Sequence, residues 1–479
     1  MFKCKNPRKY RIVVILLLFL SLSSANLAFA ADKIQKDSTE VPAVNNQQNT
    51  SVKSSESKAV DQNTPGVNKE KNILPILELK GGVKEAQEKP SLLKTWLEGD
   101  YATGNWFGLR SKLEEHGVSI NSSYYNGDWM NFRGGTTSAT HLKTLGVIDT
   151  NIGLDTKKLG LWSGGKLFVR YQNKHGMGVT KGQVGDYQLL DTYDTKRFNQ
   201  ISEYYYEQSL FNDVFKLKVG KQDANYDFCA LNSGFNFANA SFSYMPTVPL
   251  PSYPNPAMGL VATIKPTSWS SIKSGWYDGE GLGGETGFKS LDSRRKSFFI
   301  EELGLTPNIK NHPGNYFAGY WLHTGHVDEY TNGEVRTFGQ NTGWYLGGEQ
   351  LIWKENKDSE DTQGLTMLGQ LGFKPSDRNE VSRYWGLGVQ YQGLIPKRDN
   401  DIIGFATANA GFSGRLKEYD TTGAGDIDGR YGYESNLEMF YKVQLTPWFA
   451  LQPDIQVIKN PNGGSKSAFV MGLRTFITF

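Results

Sequence analysis

The sequence predicts an all-β protein, a transmembrane antiparallel β-barrel preceded by one short helix, and three observations predict it. From Val118 onward the chain consists of short segments in which apolar and polar residues alternate, and a period of two is typical of strands whose faces meet different environments. These segments are about nine to eleven residues long, the length at which a tilted strand crosses a bilayer. Trp and Tyr lie near the segment ends, as in the aromatic girdles of membrane barrels.

The segment at residues 384–392, YWGLGVQYQ, alternates most clearly, because Leu387 and Val389 share one face while Gly388 and Gln390 share the other. The same pattern recurs at residues 146–155, 214–221, 437–445 and 449–458. A soluble sandwich or propeller would also alternate, with its apolar face packed inward, so the pattern alone does not exclude these folds. Charged and amide groups on the polar faces suit a water-filled lumen and favour the membrane barrel. With no apolar helix of spanning length expected after residue 30, a closed barrel is the spanning structure left.

Residues 1–30 have the features of a secretory signal peptide. A basic cluster at residues 3–11 precedes an apolar run at residues 12–22, and Ala28 and Ala30 form the A-x-A pattern of a cleavage site. The apolar run is shorter than the roughly 20 residues of a spanning helix. We therefore expect export and cleavage after Ala30.

The charge balance argues against a nucleic-acid-binding protein. The 479-residue chain carries a formal net charge of +3, and loss of the five basic residues of the signal would leave 3 − 5 = −2. A near-neutral exported chain lacks the basic surface that a polyanion requires. Cys4 lies in the signal, so only Cys229 would remain and no intrachain disulfide is expected.

Residues 31–95 are interpreted as a flexible polar tail in the periplasm. They contain no Phe, Tyr or Trp and are rich in Asn, Gln, Ser, Lys and Glu, so they cannot bury enough apolar surface to offset the entropy of ordering. Aromatic residues begin at Trp96, and residues 96–479 are expected to form the barrel. The short helix is predicted at residues 105–117, where Gly117 suits a left-handed helix end.

The sequence ends in GLRTFITF, an alternating segment whose last residue is Phe479. A last strand of this pattern with a terminal aromatic residue is typical of bacterial outer-membrane barrels. In such proteins the terminal aromatic is part of the signal that the assembly machinery recognises. Together with the predicted signal peptide, this ending favours a barrel over a soluble all-β fold.

Five blocks of the sequence, in order and at similar spacing, resemble the OprB family of carbohydrate-selective porins. They are NWFGLRSKLEEHGV (105–118), ISEYYYEQSLFNDVFKLKVGKQDANYDF (201–228), PLPSYPNPAMG (249–259), QLTPWFALQPDIQVIKNPNG (444–463) and GLRTFITF (472–479). The resemblance implies about 16 antiparallel strands in the outer membrane of a Gram-negative bacterium, and diffusion of glucose-type monosaccharides into the periplasm. Roughly 24 residues per strand and loop fit long outer loops and short periplasmic turns. The implied partners are carbohydrates, outer-membrane lipid, the assembly machinery and, as an open alternative, further copies of the chain.

A sugar in a narrow pore needs hydrogen-bonding groups for its hydroxyls and aromatic rings for its apolar faces, held weakly enough for release. The candidate lumen contacts are Arg170, Glu207, Lys221, Asp223 and Gln456. The alternative role of each is a wall ion pair that fixes strand register. In SEYYYEQ (202–208) the pattern does not decide which of two sets faces inward, Glu203, Tyr205 and Glu207 or Tyr204 and Tyr206. The resemblance favours the set with the glutamates.

Five prolines lie between Pro246 and Pro256, and proline does not occur in a central strand. They predict a rigid loop, which either folds inward and narrows the channel or stays at the surface.

Other classes of function have weaker support, and no cofactor or metal is expected. Gly279, Gly281 and Gly284 have a dinucleotide-loop spacing, but no apolar helix follows them. Asp426 and Asp428 resemble a calcium loop that lacks its closing glutamate. A hydrolase needs Ser, His and an acid together, yet no G-x-S-x-G motif is present. A soluble sugar-binding protein and a general or anion-preferring porin remain alternatives.

Overall fold

The computed structural model describes residues 91–137, 140–280, 296–329, 336–356, 363–415, 432–464 and 466–479. These residues form a closed antiparallel barrel in which each strand pairs with its neighbours in the sequence and the last strand pairs with the first. Its sixteen long strands are β1 (Val118–Arg133), β2 (Lys143–Asp155), β3 (Gly165–Gly176), β4 (Phe198–Leu210), β5 (Phe215–Gln222), β6 (Ala257–Thr267), β7 (Ser270–Asp278), β8 (Ser297–Leu305), β9 (His312–His323), β10 (Asn341–Lys354), β11 (Gly364–Phe373), β12 (Val381–Gln392), β13 (Ile402–Phe412), β14 (Tyr433–Thr446), β15 (Phe449–Lys459) and β16 (Ala468–Thr478).

Three two-residue strands accompany the barrel. Asn308–Ile309 pairs with the start of β9, and Val327–Asp328 pairs with Thr337–Phe338 in a separate small hairpin. The predicted antiparallel barrel of about 16 strands is confirmed.

The barrel wall has apolar side chains on its outer face and polar side chains on its inner face, the reverse of a soluble fold. On β14, Leu437 and Met439 point outward and are 39% and 48% exposed, whereas Glu438 and Phe440 point inward and are buried. On β12, Leu387 is 50% exposed. A sandwich or propeller would bury these apolar side chains, so the exposed apolar face and the buried carboxylates agree with a lipid-facing wall and a polar interior.

The N-terminal segment contains two short helices, α1 (Leu92–Leu97) and α2 (Leu109–Glu115). The single helix predicted at residues 105–117 is interrupted, because φ is 57° at Phe107 and 90° at Gly108 and a 3-10 turn precedes α2. The predicted stop is present, since Gly117 has φ 86°. Among the described residues, no helix has both the length and the apolar character needed to cross a membrane.

The helix α1 was not predicted from the sequence. Its first turn is capped by Ser91, whose hydroxyl accepts a hydrogen bond from the Lys94 main-chain N–H. Trp96 contacts Trp448 in the turn between β14 and β15, with ring centroids 4.7 Å apart. The segment therefore lies against the end of the barrel that carries the C-terminus.

Candidate functional site in the barrel lumen

Two loops fold into the lumen and contribute apolar residues to its core. Loop A (177–197) joins β3 to β4, and loop B (223–256) joins β5 to β6. Both contain apolar side chains that are fully buried inside the barrel, among them Val184 and Leu190 of loop A and Phe228 and Phe242 of loop B. Because loops otherwise lie at the surface, their burial here means that they occupy the interior of the barrel.

Inward-facing glutamates of the wall hold loop B by its main chain. Glu349 on β10 accepts hydrogen bonds from the N–H groups of Asn232 and Ser233, at 2.9 and 2.8 Å. Glu438 on β14 accepts from Ala238 and Asn239, at 2.5 and 2.9 Å. Each carboxyl group accepts from two successive main-chain N–H groups, so each pair fixes the loop at one point.

Two further glutamates act in the same way. Glu302 on β8 accepts from the Cys229 N–H of loop B at 2.8 Å. Glu434 on β14 accepts from the N–H groups of Tyr187 and Gln188 in loop A, at 2.7 and 2.9 Å. We call Glu302, Glu349, Glu434 and Glu438 the glutamate anchors.

Arg170 on β3 lies in a buried ion-pair cluster. Its guanidinium is 2.5 Å from a Glu203 carboxylate oxygen and 3.2 Å from one of Asp149, and it donates to the Tyr226 hydroxyl of loop B at 2.8 Å. Glu203 also accepts from the Asp223 N–H, at 3.0 Å. Glu203 and Tyr205 face inward, as the resemblance favoured, and Arg170 joins the wall to the start of loop B.

A second cluster surrounds Arg474 on β16. Its guanidinium donates to the Asn236 carbonyl oxygen of loop B at 2.9 Å and to the Tyr125 hydroxyl at 3.2 Å. Asp191 of loop A accepts from the Tyr125 hydroxyl and the Trp129 indole, at 2.5 and 2.6 Å. Loops A and B and the closing strands β1 and β16 therefore meet at one network.

A cavity of about 370 Å³ lies beside this network, and we call it the constriction cavity. It offers aromatic rings and polar groups together. Its lining includes Tyr125, Asp149, Tyr193, Asn232, Phe235, Asn236, Lys442, Gln444, Trp448 and Phe476. The Lys442 ammonium lies 4.9 Å from the centre of the Phe476 ring. These groups could contact both the hydroxyls and the ring faces of a sugar.

A larger cavity of about 1240 Å³ lies between the barrel mouth and the N-terminal segment, and we call it the vestibule. Pro447 and Thr478 line both this space and the constriction cavity, so the two adjoin. Glu207 is the one predicted lumen contact that lines either of these two cavities, and its carboxylate lies 3.5 Å from the Lys216 ammonium.

The other predicted contacts are buried and engaged with protein groups. The Lys221 ammonium donates to the Ile201 carbonyl oxygen at 3.0 Å. The Asp223 carboxylate accepts from the Tyr253 N–H at 3.0 Å. The Gln456 amide donates to the Leu190 carbonyl oxygen at 2.7 Å. Contact of any predicted residue with sugar stays a prediction.

The proline-rich segment folds inward. Leu250, Ser252 and Tyr253 are buried within the barrel, and the Lys374 ammonium donates to the Pro246 carbonyl oxygen at 3.2 Å. The sequence left open whether this loop folds inward or stays at the surface, and the structure shows that it folds inward.

Several residues of the constriction cavity escaped the sequence analysis. Lys442 and Phe476 lie in the alternating segments at residues 437–445 and 472–479, and the alternation could have identified them. Tyr193, Phe235 and Asn236 lie in loops, where no periodicity indicates direction.

Comparison with known proteins decides the family. A family model for the carbohydrate-selective porin, OprB family, matches residues 139–479. The chain belongs to the OprB family.

This OprB-family chain is similar to Porin B of Pseudomonas aeruginosa, with 22% identity over 439 residues that cover 83% of this chain and 94% of that protein. It is also similar to a putative porin, QuiX, of Acinetobacter baylyi, with 20% identity over 429 residues that cover 81% and 93%. The solved high-pH structure of Pseudomonas putida OprB matches with a TM-score of 0.73 at 20% identity, covering 80% of this chain and 100% of that one. At this identity, the structural likeness shows the fold.

Membership of the OprB family and the barrel fold indicate a channel rather than an enzyme. They also imply the outer membrane of a Gram-negative bacterium. Over the described ranges, no three His, Cys, Asp or Glu side chains converge as metal ligands. Asp426 and Asp428 of the weak calcium-loop pattern, and Gly281 and Gly284 of the dinucleotide pattern, lie outside the described residues.

Proposed function

We propose that the chain is an outer-membrane porin through which neutral sugars of glucose size diffuse into the periplasm. The proposal rests mainly on the constriction cavity, which combines aromatic rings and polar groups inside a barrel of the carbohydrate-selective family. Its volume of about 370 Å³ lies at the low end of the roughly 300–1,000 Å³ typical of small-molecule sites. This size favours a monosaccharide over a longer sugar.

The chemistry of the cavity supports weak binding of a neutral ligand. A pyranose loses water when it enters, and the groups of Asn236, Gln444 and Lys442 can replace the water around its hydroxyls. The rings of Tyr193 and Phe476 offer apolar surface to its C–H faces. Asn236 lies in loop B, and Lys442 and Gln444 lie on β14. Conduction requires that such contacts be weak enough for release.

The predicted lumen residues then divide into two roles. Glu207 contacts passing sugar in the vestibule. Arg170, Lys221, Asp223 and Gln456 position loops A and B, because each is buried and bonded to protein groups at a loop or a loop root. Under this division, one predicted residue contacts the substrate, and the other four help to determine the shape of the passage.

The orientation follows the signal peptide and the family. We propose that residues 1–30 direct export and that the polar tail before α1 belongs to the periplasmic side, with the end of the barrel that carries both α1 and Phe479. The assembly machinery inserts the barrel with this end inward. We propose that each barrel conducts by itself, whether the chain acts alone or together with further copies.

Purified protein in planar bilayers and in liposomes tests the function. We expect stepwise ion conductance that glucose reduces, and faster liposome swelling in glucose than in sucrose. Gluconate, an anion of similar size, should permeate more slowly than glucose if the channel prefers neutral sugars. Normal ion conductance with no effect of glucose would contradict the carbohydrate function and leave a general or anion-preferring porin.

A further inference from the structure

The vestibule contains an aromatic surface that the constriction cavity does not include. Phe168 on β3 and Tyr205 on β4 are cross-strand partners, and their rings stack with centroids 4.9 Å apart and planes 26° apart. Both side chains point inward, are half-buried and line the vestibule. The rings of Phe168 and Tyr205 therefore form a paired aromatic platform, whose surface is exposed to the water-filled passage.

One side of this platform is open. Phe168 lies between Tyr205 of β4 and Gly153 of β2, which is its cross-strand partner on the other side. A Cβ atom at Gly153 would meet only one atom within 4 Å, the Ser119 hydroxyl oxygen at 2.6 Å. Because glycine places no side chain beside the ring, the side of Phe168 away from Tyr205 is accessible to a flat ligand.

Polar groups lie around the platform in the same cavity. Ser119 and Asn121 on β1 line the vestibule beyond Gly153, and Glu207 lines it beside Tyr205. The Asn121 amide oxygen accepts a hydrogen bond from the Tyr101 hydroxyl at a long 3.3 Å. The Glu207 carboxylate is balanced by Lys216. An aromatic face with amide and hydroxyl groups near it, and with the Arg170 guanidinium carbon 5.9 Å from the Phe168 ring centre, suits the C–H face and the hydroxyls of a pyranose ring.

We propose that Phe168 is the stacking residue of a second sugar subsite. A pyranose that has left the constriction cavity binds there before it is released from the end of the barrel that carries α1 and Phe479, which we call the termini side. This inference rests on the proposed function. The two cavities adjoin at Pro447 and Thr478, so a sugar can pass from one subsite to the next. Successive weak sites keep a permeating ligand bound in steps without trapping it.

The subsite is tested by glucose block of single-channel current with the sugar added to one side at a time. For Phe168→Leu we expect the half-blocking glucose concentration on the termini side to rise about fivefold, equal to ~1 kcal/mol. The change should be smaller with glucose on the other side, and the conductance of each variant without sugar is the reference for its block. Phe168→Tyr keeps an aromatic ring, and glucose should block its current as it blocks the wild type. The matched control is Tyr204→Leu, which alters the neighbouring outward-facing residue.

A second variant serves if Phe168→Leu fails to fold, as judged by heat-modifiable migration on gels. Gly153→Val leaves the ring pair in place and fills the space beside Phe168, so it should weaken termini-side block to a similar extent. Equal block of the wild type and of these variants would overturn the subsite while leaving the sugar channel intact. No glucose block of the wild type from either side would overturn both proposals.

Discussion

The guanidinium of Arg110 donates a 2.9 Å hydrogen bond to the main-chain oxygen of Phe479, which joins the N-terminal segment to the last residue of the barrel. Arg110 is buried and lies 3.5 Å from the centre of the Tyr101 ring and 4.3 Å from that of Trp106. The Phe479 N–H donates to the Ser122 carbonyl oxygen at 2.8 Å. Both the oxygen and the N–H of the Phe479 main chain therefore form hydrogen bonds, next to the seam between β1 and β16.

Arg110→Met is expected to destabilise the barrel at this seam. It keeps much of the side-chain volume but removes a hydrogen bond from a charged donor, a loss of about 1.5–3 kcal/mol. The midpoint of heat-induced unfolding, followed by gel migration, should fall. Lys112→Met changes an exposed residue of the same helix and should leave the midpoint unchanged. An unchanged midpoint for Arg110→Met would show that the contact does not contribute to closure.

Removing a glutamate anchor is expected to widen the channel without opening the barrel. Glu438→Ala deletes the acceptor for the N–H groups of Ala238 and Asn239, and each buried N–H left without an acceptor costs about 1–3 kcal/mol. Because loop B then moves more freely, single-channel conductance should rise and sucrose should enter liposomes faster.

The control for the anchor experiment is Glu301→Ala. Glu301 lies next to the anchor Glu302 on β8 but points outward and bonds Ser274. Its removal should leave conductance unchanged. The same conductance in both variants would mean that the glutamate anchors do not determine pore size.

The strand faces could be predicted from the sequence, whereas the interior of the lumen could not. A period of two was sufficient to place Met439 outward and Glu438 inward, because alternation follows from strand geometry alone. The positions of Ala238 and Asn236 depend on contacts with strands about 200 residues further along the chain, and no local pattern encodes such a distance. The helix interruption at Phe107 has no signal in the sequence either, since φ there is 57°, in a region that residues other than glycine rarely adopt.

The position of loop A is expected to depend on pH through Asp186. Burial, together with the nearby Glu434 carboxylate, raises the pKa of Asp186 to about 8. One of its carboxylate oxygens accepts from the Leu190 N–H at 2.6 Å, and the other has no hydrogen-bond partner. The native pKa lies above the unfolded value, so the free energy of unfolding should fall as pH rises from about 4 toward 8.

Above about pH 8 the ionised Asp186 is repelled by Glu434, and loop A should become more mobile. Current noise in single channels should therefore increase between about pH 7 and 9, with a midpoint near this pKa. Asp186→Asn imitates the protonated form and should give low noise throughout. A wild type and Asp186→Asn that respond identically to pH would contradict this assignment.

The outward apolar face is expected to lie against lipid at Leu387, which is 50% exposed on β12. Lysine at the bilayer midplane of a β-barrel costs about 2–4 kcal/mol, falling to roughly 0–1 near the interfaces. Leu387→Lys should therefore lower the free energy of unfolding, measured by denaturant titration in phospholipid vesicles, by an amount within this range. Leu394→Lys, at a leucine that is 53% exposed in the turn after β12, should cost far less because it lies outside the hydrocarbon. Equal costs at the two positions would contradict a lipid-facing wall, since exposure to water would penalise neither lysine.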